Sequence, residues 1–169
     1  MKKTVLKYGS YGLLTGVVLF LLSILLTKNL DYSLQEILGY VTMAATLSFI
    51  FFGIKHYRDK VNNGVVNFGK ALIIGLLISA LVGVGVAIAD YIYTTVINPD
   101  FAQDYLERTI AILEADYSGA ELEAKIAELT QQMEDYGGSG FMAALMFITV
   151  VVIGFIISLI SGLILQRKN

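Results

Sequence analysis

Cysteine and tryptophan are absent from this sequence, and histidine and proline occur once each. Without cysteine there is no disulfide, no thiolate metal site and no cysteine nucleophile. The single histidine lies in Lys55-His56-Tyr57-Arg58, where neighbouring positive charge opposes metal binding. The single proline, Pro99, lies outside every long apolar stretch, so nothing breaks or kinks those stretches. Charge is scarce too: 15% of the 169 residues are charged and 56% are hydrophobic, with a mean hydropathy of +0.72. That balance belongs to a chain whose main solvent is lipid. No Ser/His/Asp set, zinc-protease pair, phosphate loop or haem-binding histidine pair can be assembled. The chain therefore reads as non-enzymatic, with no catalytic residue, cofactor or metal expected. No basic domain is present to hold nucleic acid.

What is present is four apolar stretches. Crossing a hydrocarbon core takes roughly 20 apolar residues in a helix, and residues 8–27, 33–54, 71–89 and 141–165 each meet that length. The first follows Lys2, Lys3 and Lys7 as a signal peptide would. It is longer than a usual h-region, however, and 23–29 offer no small-x-small cleavage site, so it is expected to be a retained helix. Lysine and arginine set the orientation, because cytoplasmic loops keep positive charge. With the N-terminus inside, nine basic residues lie inside (Lys2, Lys3, Lys7, Lys55, Arg58, Lys60, Lys70, Arg167, Lys168) and three outside (Lys28, Arg108, Lys125). Tyr8, Tyr11, Phe51, Phe52, Tyr57 and Phe68 then mark one interface, and Tyr32, Tyr91, Tyr93, Tyr136 and Phe141 the other.

The expected architecture is an all-α, four-helix transmembrane bundle with an extracytoplasmic acidic helical hairpin between the third and fourth spans. Residues 1–89 hold three spans, 90–136 the hairpin, and 137–169 the fourth span and a basic tail. Asn62, Asn63 and Gly64 signal a tight turn in the basic loop between the second and third spans, and basic residues there attract anionic lipid headgroups. In the hairpin, Asn98, Pro99 and Asp100 predict a helix start with Asn98 as N-cap, running to about Ala115 with Leu106, Ile110 and Leu113 on one face. Ser118 and Glu121 predict a capping box for a second helix ending at Tyr136, before Gly137 and Gly138. Its stripe is Leu122, Ile126, Leu129 and Met133. The carboxylates of this segment do not match a calcium loop and read as a solvated face.

Small residues recur every four positions in the third span at Ala71, Gly75, Ser79, Gly83 and Ala87. Gly12 and Gly16 repeat the pattern in the first span, and Gly154, Ser158 and Gly162 in the fourth. Such faces let helices approach closely, within one molecule or between copies. No ionisable group lies deep in a span. Glu36 and Asp90 come nearest, as candidate functional carboxylates expected at the water interface.

The stretch Asn67-Phe68-Gly69-Lys70-Ala71, then Tyr91-Ile92-Tyr93 and Asn98-Pro99-Asp100-Phe101, with Lys7-Tyr8-Gly9 before the first span, resembles small four-span bacterial proteins catalogued as domain of unknown function 4199. The resemblance implies a bacterial cytoplasmic membrane and four helices, and brings no ligand or activity. The expected role is an accessory or scaffold component contacting lipid and either its own copies or another membrane protein. The alternative is a channel or transporter subunit with a pore between copies.

Overall fold

A computed structural model describes residues 1–27, 30 and 32–167. The side chains of 24–27, 32, 33 and 36 are also outside the description, and with them the expectation placed on Glu36, whose backbone lies within a helix. Lys28 and Lys168 fall outside it too. Six α-helices and no strand occur among the described residues: α1 (Lys2–Thr27), α2 (Tyr32–His56), α3 (Phe68–Ile92), α4 (Phe101–Asp116), α5 (Gly119–Tyr136) and α6 (Ser139–Leu165). Helices α1, α2, α3 and α6 are long and apolar enough to cross a membrane, and the chain is a multi-pass membrane protein. All four extend beyond the apolar stretches. Helix α1 takes in Lys2, Lys3 and Lys7, since lysine is a good helix former and its stem follows the helix surface while its ammonium stays in a polar layer.

Helices α2 and α3 each end in a π-helical turn, at Tyr57–Val61 and Tyr93–Ile97. In both, an asparagine N–H closes the turn on a tyrosine carbonyl: Asn62 on Tyr57 at 3.0 Å and Asn98 on Tyr93 at 2.8 Å. The Asn62-Asn63-Gly64 turn forms as expected, with Asn63 at φ 52° and Gly64 at φ 83°. No atom lies within 4 Å of a Cβ built on Gly64, so its requirement is conformational. Gly64→Ala is expected to cost about 1–2 kcal/mol, the penalty of a side chain in left-handed backbone. A melting midpoint equal to the parent's would show that the turn does not need glycine. Beyond it, Asn67 accepts the Lys70 N–H on its Oδ1 at 2.8 Å, an N-cap for α3 that the apolar pattern did not reveal.

The chain divides into two compact units, Met1–Ala89 with Met146–Asn169, and Asp90–Leu145. In the first, the core is Val5, Leu47, Ile50, Ile54, Ile74, Ile78, Val82, Val86 and Val150, with Tyr57, Val66, Ala71 and Leu165 toward one end. Half of the most apolar stretch of α3 is buried, against 22–28% for the other three spans, which makes α3 the central helix. At the loop end, Val66 and Arg167 exchange backbone hydrogen bonds of 3.2 and 2.8 Å. Arg58 is buried there, 9% exposed. Its Nε and Nη2 donate to Asp59 at 2.6 and 3.1 Å, and its Nη1 reaches the Leu165 carbonyl at 3.4 Å. A guanidinium thus meets the orphan carbonyls and negative dipole end of α6.

In the second unit, α4 and α5 pair as a hairpin across Tyr117 and Ser118. Their expected stripes, Leu106, Ile110 and Leu113 against Leu122, Ile126, Leu129 and Met133, are half-buried, and neither helix has a fully buried residue. Two starts differ from expectation. Helix α4 begins at Phe101 with Asp100 as N-cap and no side-chain capping bond. Asn98 instead ends the π turn, and its amide donates to Asp104 Oδ2 at 3.1 Å, because the apolar run Tyr93–Ile97 continues α3 instead of opening a loop. Helix α5 does follow Ser118, yet the Ser118 side chain makes no capping bond. Gly137 closes α5 in right-handed backbone at φ −73°, so no left-handed glycine cap forms. Tyr93 meets Phe101 edge to face and Phe101 meets Tyr105 at a tilt, with centroids 5.7 and 6.4 Å apart, holding the start of α4 on the π turn.

Candidate functional site

The small residues of α3 and α6 meet one another directly. A Cβ on Gly75 would overlap Ser158 Oγ and stand 2.6 Å from Ser158 Cβ, with Ile50 of α2 at 3.0 Å. A Cβ on Gly154 would overlap Ser79, and one on Gly162 would lie 3.2 Å from Phe68 and 3.6 Å from Ala71. The helices run antiparallel here: each step of four along α3 from Ala71 to Gly75 to Ser79 is met by four back along α6 from Gly162 to Ser158 to Gly154. A Cβ on Gly83 would stand 2.9 Å from the Phe147 ring, and Ala87 is half-buried. Ser79 and Ser158 are wholly buried. Their hydroxyls donate within their own helices, to Leu76 O at 2.9 Å and Gly154 O at 2.6 Å. Neither hydroxyl needs a partner across the seam, and close packing joins the helices at these positions.

Gly12 and Gly16 of α1 also face their own chain. A Cβ on Gly12 would lie 2.7 Å from Val82 and 3.7 Å from Phe49, and one on Gly16 would lie 3.1 Å from Thr46 and 3.3 Å from Val86. Sequence reasoning missed three further close approaches. Gly9 meets Leu81, Gly85 meets Leu13, and Gly53 meets Ile78 and Tyr8. A signal for the first existed, because Gly9, Gly12 and Gly16 share one helical face at i, i+3 and i+7. Gly85 lies two residues from Gly83 and so on nearly the opposite side of α3. Helix α3 therefore offers one small-residue face to α6 and another to α1.

Among the described residues two buried side-chain polar atoms lack a hydrogen-bond partner, His56 Nδ1 and Asp90 Oδ2. His56 is half-buried with its ring 5.4 Å from that of Tyr8, an aromatic contact at the loop end. Asp90 is the larger departure. Expected at a watery interface, it is 7% exposed, because it lies on a face of α3 that also buries Val86 and Thr94. The Thr94 hydroxyl donates to the Asp90 main-chain carbonyl at 3.0 Å, and the Ser139 hydroxyl donates to the Thr94 carbonyl at 3.4 Å.

Charge is concentrated in the same unit. Residues 90–145 carry eleven carboxylates against Arg108 and Lys125, a net charge of −9. Lys125 is partly engaged, its ammonium 4.4 Å from the Tyr117 ring centroid. No group of three or more metal-binding side chains occurs among the described residues. The family model described as protein of unknown function (DUF4199) matches residues 7–167. No curated protein and no solved structure matches the chain.

Proposed function

This chain belongs to the DUF4199 family, and from that premise we propose that it is a non-catalytic accessory or scaffold component of the bacterial inner membrane. Its termini are cytoplasmic, and the acidic hairpin is displayed outside as the surface that meets a partner. The observation that carries this reading is where the small-residue faces are spent. Gly12, Gly16, Gly75, Ser79, Gly154, Ser158 and Gly162 all face side chains of their own chain, which supports a self-sufficient anchor. The hairpin, by contrast, has no fully buried residue in either helix and a net charge of −9 across its unit. A field of one sign steers partners of the other and opposes its own copies.

The test is affinity capture from gently solubilised membranes, using the full chain and a variant in which a short Gly/Ser linker replaces residues 100–136. A membrane protein retained by the full chain and lost from the variant is expected, with the melting midpoint of the bundle little changed. An identical set of captured proteins from both would remove the hairpin from the proposal. The buried Asp90 favours a second reading, a channel or transporter subunit with a pore between copies, since intramembrane carboxylates mark ion pathways. Ion flux into proteoliposomes that disappears in Asp90→Asn would select that reading over the scaffold.

A further inference from the structure

We propose that the layer of α3 and α6 containing Asp90, Thr94 and Ser139 is a binding site for one monovalent cation, a proton or a sodium ion. The inference starts from an oxygen count. Asp90 is 7% exposed and Thr94 4% exposed, and Asp90 Oδ2 has no hydrogen-bond partner. The Thr94 hydroxyl has already committed its proton to the Asp90 main-chain carbonyl at 3.0 Å, and the Ser139 hydroxyl donates to the Thr94 carbonyl at 3.4 Å. A hydroxyl has one proton to donate and two lone pairs to offer. Along this stretch a carboxylate and two hydroxyl oxygens are therefore available as acceptors, with no spare donor among them. Such a set repels an anion and suits a hard cation. A buried carboxylate oxygen without a partner is destabilising, and a bound monocation removes that cost.

Among the described residues, no basic side chain hydrogen-bonds Asp90 Oδ2. Helix α6 has no titratable residue from Ser139 to Leu165, and α1 has none between Tyr11 and Thr27. The sole carboxylate of α2 is Glu36. On α3 and its π turn the neighbouring titratable groups are Tyr91 and Tyr93, and beyond them lie Asp100 and Asp104. Asp104 already accepts the Asn98 amide. The net charge of −9 on residues 90–145 favours a cation further. The site stands independently of whether the hairpin holds a partner, and binding there does not require transport.

The experiment is thermal unfolding of the full chain in detergent at alkaline pH in a choline buffer, with sodium chloride added in one arm and the pH lowered in the other. In the parent protein the midpoint is expected to rise in at least one arm, because a ligand bound by the folded state alone stabilises it. A rise with sodium at fixed pH identifies sodium, and a rise with acid alone identifies the proton. Asp90→Asn is expected to melt at the higher, ligand-saturated temperature throughout and to lose both responses. Thr94→Val is expected to lose the sodium response and keep the acid response. Infrared spectra of the parent provide a readout that needs no variant to fold: acidification should bring up a carboxylic-acid carbonyl band slow to exchange with deuterium, unless sodium occupies the site. A parent protein that responds in neither arm, or an Asp90→Asn protein that responds as the parent does, would overturn the proposal.

Discussion

Replacing Gly75 with leucine is expected to be the most damaging single substitution in the bundle, with a loss of about 3 kcal/mol or more of unfolding free energy. The site is closed on two sides. A Cβ there would already overlap Ser158 Oγ, and it would meet Ser158 Cβ at 2.6 Å and Ile50 Cγ2 at 3.0 Å. These are short side chains rooted close to their own helices, so no flexible tip can swing clear and α6 itself has to move. Gly83→Leu should cost less, because the first atom met is the edge of the Phe147 ring at 2.9 Å, which can rotate away. Gly39 is the control: no atom lies within 4 Å of its Cβ position, and Gly39→Ala should be neutral or stabilising by up to about 1 kcal/mol through helix propensity. The measurement is unfolding in mixed micelles under rising denaturing detergent. If Gly75→Leu and Gly39→Ala unfold together, the close α3–α6 seam is not what holds the bundle.

Arg58→Ala is expected to have the next largest effect, about 2 kcal/mol. The charge is buried, but Asp59, its ion-pair partner, is 34% exposed, which keeps the loss below that of a fully enclosed pair. The contact to Leu165 O is long at 3.4 Å, so it contributes as a charge near a helix end more than as a hydrogen bond. Arg58→Met separates the parts of the effect: it keeps much of the buried stem and removes the charge, and should recover roughly half of the loss. Amide hydrogen exchange gives the local readout. The N–H groups of Val66 and Arg167, paired with each other's carbonyls, should exchange faster in both variants. Unchanged protection there would mean that the pairing holds without Arg58.

The long elements were legible because lipid makes a single demand, a run of apolar residues long enough to cross it. Their ends were less legible. Residues such as Lys2, Lys3, Lys55 and His56 are polar yet helical, so the apolar boundary is not the helical one. Pro99 and Asp100 form a turn that resembles a helix start in composition, and only the preceding π turn, Tyr93–Ile97, moves the start to Phe101. The four-residue spacing identified the face of α3 that meets α6. It concealed Gly85, which belongs to a different face and therefore to a different periodicity. Asp90 was illegible for another reason. Its position at the end of an apolar run is compatible with both a wet interface and a buried layer, and which one it occupies depends on the residues packed around it, about which spacing along one helix is silent.

The serine hydroxyls of the α3–α6 seam bear on biogenesis. Since Ser79 and Ser158 are each satisfied by a carbonyl of their own helix, neither hydroxyl needs the other helix in order to be buried, and association can follow as a separate step. Helix α3 is synthesised well before α6, with the whole acidic hairpin between them. During that interval the face from Ala71 to Ser79 is open to lipid and to any other helix with small residues. Helix α6, made after the hairpin, is the one that closes it, so a chain that stalls within the hairpin would leave in the membrane a helix with an unfilled groove.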